Sequence, residues 1–310
     1  MELKFSQIFS GLLFLMLLLT SNIKSQHDPM LTQYMFNPLI LNPAYAGTNG
    51  VLTAMAMSRY QWVGFEDAPS THTFSMHTPV VSRNFGTGFS IIHDQIGPIK
   101  NTNAWLDYSY QIYLTDQTRM SLGLKGGFSF YQKDLSRYAN DIDITDGYTD
   151  SKFLPNFGFG VHVYNHRYYV GLAAPRLIEN SMSETDSNES TFISRENRLY
   201  LLMAGYAYPL NNELVLRPSF MLRATESAPF NLDLNVNLLI RDLFWVGLLY
   251  RTDNVIGGMV RYQVTQQLGL GYAFDTNFGG VSSHFGNTHE AMIIFEFDFR
   301  KEQVQNPRYF

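Results

Sequence analysis

The chain has 310 residues, a formal net charge of -5, only 16% charged residues, 24 Phe, 19 Tyr and no Cys. An acidic balance excludes the basic footprint with which nucleic-acid binders neutralise phosphates; the missing cysteine excludes disulfides, Cys-ligated zinc, a Cys nucleophile and a cysteine-borne lipid anchor. Many aromatics with few charges instead suit a β-rich chain that tolerates a membrane.

Lys4, the apolar stretch Ile8–Leu19 and then Ser21, Asn22, Lys24 and Ser25 read as a signal peptide over residues 1–25, cleaved near Ser25 and Gln26. The apolar part, about twelve residues, is too short for a spanning helix, which needs roughly 20. Residues 26–50 behave differently from everything after them. Pro29, Pro38 and Pro43 each remove a backbone donor and push the preceding residue toward an extended or turn conformation. A central strand is not expected there. The pairs Asn37-Pro38 and Asn42-Pro43 are turn initiators, and Gly47 can supply a positive φ before the next element. Tyr34, Met35, Phe36, Leu39, Ile40, Leu41 and Tyr45 need an apolar home.

From Val51 onward the dominant pattern is strict alternation, the mark of strands with one greasy and one wet face. In Arg119–Phe130, Met120, Leu122, Leu124, Phe128 and Phe130 share one side and Arg119, Ser121, Lys125 and Ser129 the other. In residues 231–238, Leu232, Leu234, Val236 and Leu238 alternate with Asn231, Asp233, Asn235 and Asn237. Near the end, Ala291, Ile293, Phe295, Phe297 and Phe299 oppose Glu290, Glu296 and Asp298. Glycines repeat at period two in Gly158 and Gly160, and in Gly269 and Gly271, which suits crowded or bent positions. About fourteen strands are expected, starting near Val51, Ser70, Gly86, Thr102, Arg119, Asn156, Arg167, Asn197, Glu213, Phe230, Leu243, Asn254, Gln266 and His289. Several run to about 9–11 residues, the length with which a tilted strand crosses a bilayer. A soluble sandwich alternates too, but its strands have a mode of about 5–6.

The connections alternate in size. Residues 115–118, 165–166, 210–212, 241–242 and 265–266 are short polar turns, whereas 133–154, 175–196 and 275–288 are long loops rich in Asp, Asn, Ser and Glu; 251–253 is a short turn among the long ones. Outer-membrane barrels put the short turns in the periplasm and the long loops outside. The expectation is an all-β, transmembrane outer-membrane β-barrel over 51–299 with antiparallel strands, the N-terminal Pro-rich segment (26–50) as plug or rim element, a periplasmic tail at 300–310, and both mature termini periplasmic. Tyr108, Tyr110, Tyr206, Tyr208, Tyr250 and Tyr272, near strand ends, suit aromatic girdles against outer-membrane lipid. Asp107, Arg119, Lys125, Arg217, Asp233, Glu296 and Asp298 are assigned to the lumen, as a hydrated or hydrogen-bonded interior or, alternatively, a conducting path.

Catalytic chemistry finds no constellation. The eight histidines form no HExxH helix or comparable cluster. His72 and His77 face opposite ways on one strand, as do Ser90 and His93 beside Asp94. The glycine pairs lack nucleotide-loop spacing. No metal, other cofactor or enzymatic activity is expected.

The N-terminal segment carries a resemblance. Asp28-Pro29, Gln33-Tyr34-Met35-Phe36-Asn37-Pro38 and Leu41-Asn42-Pro43-Ala44-Tyr45-Ala46-Gly47 closely resemble the opening of the PorP/SprF family of type IX secretion-associated outer-membrane proteins from Bacteroidetes. Arg59-Tyr60-Gln61-Trp62 with Gly64, Pro69-Ser70-Thr71 and the final His289-Glu290 strand extend it over essentially the mature chain. The resemblance implies a non-enzymatic barrel that helps particular proteins reach the cell surface. Its partners would be other type IX components and a cognate secreted protein such as a large adhesin, with gliding motility a further implied role. It makes Asp28, Pro29, Gln33, Tyr34, Phe36, Asn37, Pro38, Asn42, Pro43, Ala44, Tyr45 and Gly47 a candidate partner-binding or plug motif. Physical reasoning alone leaves an alternative open, a channel for small or hydrophobic molecules with the segment as its plug.

Overall fold

The computed structural model describes residues 30–80, 84–136, 149–181, 195–226, 228–278 and 286–298. The expected signal peptide, Asp28, Pro29 and the expected tail lie outside them.

Alternation becomes a barrel of fourteen strands, numbered in chain order: β1 Leu52–Tyr60, β2 Ser70–Val80, β3 Phe85–Ile96, β4 Ile99–Tyr113, β5 Arg119–Asp134, β6 Thr149–Tyr164, β7 Tyr168–Arg176, β8 Leu199–Tyr206, β9 Leu214–Thr225, β10 Ala228–Ile240, β11 Phe244–Arg251, β12 Val255–Gln263, β13 Leu268–Asn277 and β14 Thr288–Phe297. Each pairs antiparallel with its sequence neighbour, and β1 pairs with β14 from Leu52↔Phe297 to Tyr60↔His289. Closure removes the unpaired edges that a sheet this long would otherwise expose. Short two-residue pairings, Asn180–Ser181 with Arg195–Glu196 and Tyr208–Pro209 against β9, decorate the connections.

Strand starts agree with the sequence reading to within a few residues except at β6, which begins at Thr149 rather than near Asn156. Thr149-Asp-Ser-Lys is polar and Pro155 interrupts it, so it reads as loop. In the fold this stretch pairs with β5 from Asp134↔Thr149, while β7 joins the β6 ladder only from Phe159↔Ala174 onward. A strand flanked by a ladder on one side alone tolerates proline's missing N–H.

The outward face is apolar. Leu106, Leu124, Leu172, Val236, Leu248 and Val260 are strongly exposed along the middle of their strands. Above and below them lie two aromatic belts, Tyr110, Tyr113, Tyr206, Phe244 and Tyr262 toward one end, and Tyr60, Phe153, Tyr200, Phe230 and Tyr250 toward the other, whereas Tyr108 and Tyr272 pair with Leu124 and Val260 nearer the middle. A contiguous apolar band of this extent belongs in lipid.

β1 starts and β14 finishes at the same end, together with the connections 81–84, 114–118, 165–167, 207–213, 241–243 and 264–267; this is called the turn end. The opposite, loop end carries 61–69, 135–148, 177–198 and 278–287, but also the tight connections 97–98, 226–227 and 252–254. Arg251, read from sequence as part of such a turn, is instead the last residue of β11 and points inward, 2% exposed.

Candidate functional site in the barrel lumen

Residues 30–50 fill the lumen. They form short 3-10 turns at Tyr34–Phe36, Pro38–Ile40 and Pro43–Tyr45, closed by bonds such as Asn37 N–H to the Tyr34 carbonyl and Ala46 N–H to that of Pro43. Pro38 and Pro43 each open a turn, where a missing N–H costs nothing. The Asn42 side chain caps the third turn by accepting from Ala44 N–H at 2.9 Å. Gly47 then turns the chain toward β1 with φ +71°, as its sequence position suggests.

At the turn end the seat is one of shape. A methyl group at Gly86 would overlap the Ala46 carbonyl, one at Gly123 the Ala44 backbone, and one at Gly160 the Asn42 amide. Wall hydrogen bonds follow the same track: Ser109 Oγ donates to the Ala46 carbonyl (2.6 Å), Gly47 N–H to His77 Nδ1 (3.1 Å) and Asn42 Nδ2 to the Val161 carbonyl (3.1 Å). Midway, Lys125 Nζ, paired with Asp107 at 3.2 Å, donates to the carbonyls of Leu39 (3.3 Å) and Ile40 (3.4 Å). Ser75 Oγ donates to Asn37 Oδ1 (2.9 Å), and Phe36 stands edge-on to Trp245 at 5.5 Å with the Arg261 guanidinium over its ring.

At the loop end charge takes over. Both Glu290 carboxylate oxygens accept from the segment's backbone, Thr32 N–H and Gln33 N–H, each at 2.9 Å. Arg59 ties Glu290 (3.2 Å) to Asp275 (2.8 Å) and donates to Thr32 Oγ1 (2.8 Å), which itself donates to Asp275. Alongside, Asp233 sits between Arg251 (2.9 Å) and Arg223 (3.0 Å), and Arg251 reaches the Leu31 carbonyl at 3.4 Å. Asn235 Nδ2 donates to the Tyr34 hydroxyl at 2.7 Å. Charge-assisted bonds to a backbone are among the stronger ones available, and here water is excluded from them. The segment thus runs from the turn end to the loop end and puts Leu31 and Phe297 at opposite ends of the barrel, so the described ends of the chain do not share one side, contrary to the expectation of two periplasmic termini.

Of the motif residues described, Gln33, Tyr34, Asn37, Asn42, Pro43, Ala44, Tyr45 and Gly47 are buried, and Phe36 and Pro38 half-buried. Among the lumen-assigned charges, Asp107, Lys125, Arg217, Asp233 and Glu296 are buried inside. Arg119 has the inward parity but, as the first residue of β5, is exposed at the rim; Asp298, just beyond β14, is half-buried. The sequence reading did not nominate Arg223, Arg251, Arg261 or Asp275, and quoted Arg59 and Glu290 without a lumen role. Alternation places Arg223 with Arg217, and Glu290 with Glu296, so the parity signal was there. The lumen is also less polar than expected: Met55, Met57, Leu201, Met203, Met221, Met292 and Ile294 point inward and pack with Leu31, Tyr34 and Ile40. Strands apolar on both faces, β8 above all, are the sequence mark of a wall that meets a plug. Among the described residues no three His, Cys, Asp or Glu side chains are grouped to hold a metal.

These features define a closed membrane β-barrel of the outer-membrane type, filled by its own N-terminal segment. A family model for the type IX secretion system membrane protein PorP/SprF matches residues 23–295, and the chain belongs to that family. Among solved structures, the fold is similar to the toluene transporter TbuX of Ralstonia pickettii (10% identity, 84% of this chain and 93% of that one, TM-score 0.53). It is also similar to the monoaromatic hydrocarbon channel CymD (10% identity, 89% and 95%, TM-score 0.54). At such identities the likeness is one of fold alone. No curated protein matches the chain.

Proposed function

We propose that this barrel serves type IX secretion through protein contact, assisting export or surface attachment of cognate proteins such as a large adhesin and touching the periplasmic secretion or gliding machinery. One observation carries the reading: the described part of the family's motif segment, from residue 30 onward, is seated in the barrel's own lumen. A pore so filled has its two rims left for work. In this reading the turn end, where β14 finishes, faces the periplasm, and the loop end, where β5, β7 and β13 finish, faces outward to cargo.

The test is quantitative proteomics of medium and cell surface in a clean deletion strain against its parent. Selective loss of one or more surface proteins is the expected result and names the cargo. An unchanged secretome with impaired uptake of a small solute would overturn the proposal in favour of a channel with a movable plug, a reading favoured by the non-covalent, partly ionic hold on Thr32 and Gln33.

A further inference from the structure

Beside the segment, against β2–β8, lies a cavity of about 90 Å³. That is below the roughly 300–1,000 Å³ of drug-sized sites, so only a small molecule can be held there. Leu31, Ile40 and Leu41 of the segment form one wall, and Ile92, Trp105 and Leu199 of the barrel the other. The polar groups in this apolar setting are few and specific. Thr73, Ile92 and Asn103 stand in a row across β2, β3 and β4, through the pairings Thr73↔Ile92 and Ile92↔Asn103. Thr73 is 4% exposed, and its hydroxyl has no hydrogen-bond partner among the described residues. A buried hydroxyl of this kind takes its partner, water or ligand, from the cavity. Asn103, 8% exposed, accepts from Ser129 through Oδ1, which leaves its amide N–H₂ to donate.

The occupant's charge follows from the remaining groups. Lys125 lines the cavity, but its charge is matched by Asp107 at 3.2 Å and it donates to the Leu39 and Ile40 carbonyls. Arg176, also in the lining, has interactions of its own. A charged ligand would therefore have to compete with Asp107 for Lys125 or disturb the contacts of Arg176, which is unfavourable.

We propose that this cavity binds one uncharged, single-ring molecule carrying a hydroxyl or carbonyl group, a ligand of the phenol class. Its ring lies over Ile92 against Trp105, and its polar group bonds the Thr73 hydroxyl, with Asn103 beside it. The site exists only while the segment is seated, because Leu31, Ile40 and Leu41 build half of it. Ligand and segment then stabilise each other, since whatever binds the seated state favours it. The inference stands independently of the secretion role.

The probe is p-cresol, titrated calorimetrically into the full chain in lipid nanodiscs, with empty nanodiscs subtracted. One saturable site per chain is expected. Thr73→Val keeps the shape but removes the hydroxyl, and should weaken binding about 3–10-fold, the loss of one hydrogen bond. Ile92→Trp fills the cavity and should abolish binding, while Glu290→Gln, which loosens the segment, should weaken it. The proposal is overturned by the absence of saturable heat above empty nanodiscs, by an unchanged isotherm in Ile92→Trp, or by benzoate binding as tightly as p-cresol.

Discussion

The two ends of the lumen segment are held by different physics. Asn42–Gly47 lies in a groove cut by glycines, where the wall backbone approaches so closely that a single methyl group would displace it. Thr32–Tyr34 is held by Glu290, Arg59 and Asp275, with Asp233, Arg223 and Arg251 beside them. A steric seat is insensitive to solution conditions and releases only when the wall deforms. An ionic latch is specific but depends on each partner staying charged and dry, because removing one member strands the others. The difference implies a segment anchored at the turn end and releasable at the loop end.

Variants at each end can break or sharpen that contrast. The largest effect is expected from Gly123→Leu, whose side chain has no space beside Ala44. Overpacking of this kind lies at the upper end of a ~1–3 kcal/mol range. Planar-bilayer recording should then show a conductance that the wild type lacks; a silent variant with normal barrel yield would mean that the seat is not what closes the lumen. Glu290→Gln should cost about 2 kcal/mol, the scale of hydrogen bonds to a charged group. Amide hydrogen exchange should speed up at Thr32 and Gln33 while Ala44–Gly47 stays protected. Equal acceleration at both ends would show one cooperative plug and dissolve the distinction drawn here. Asn42→Ala, which loses a cap and the wall bonds to the Val161 and Leu172 carbonyls, should cost about 1 kcal/mol. Its signature is faster exchange at Ala44 with Thr32 unchanged.

Much of the wall was legible beforehand because lipid imposes a rule that acts on every strand alike. Leu122, Leu124, Phe128 and Phe130 must face out whatever the rest of the chain does, so their alternation with Ser121, Lys125 and Ser129 survives in the primary sequence. Beyond the lipid the rule lapses, and there the reading failed: Thr149–Pro155 pairs with β5 without alternating strictly. The lumen was only half legible. Parity sorted Asp107, Lys125, Arg217 and Asp233 inward, yet gave no reason to pair Arg251 with Asp233 or Arg59 with Glu290.

By itself, then, the sequence determined a period-two chain of about fourteen strands, the face each residue turns to lipid, and a proline-bound segment that could not be a strand. These are local properties, set by backbone geometry and by a solvent that is uniform around the barrel. Tertiary structure alone decided where that segment goes and what holds it. Thr32 meets Glu290, and Tyr34 meets Asn235, only after the sheet has closed and brought distant parts of the chain together. No repeat in the sequence encodes such a meeting, because each contact is made once, between two particular side chains, in a space that exists only when every strand is paired.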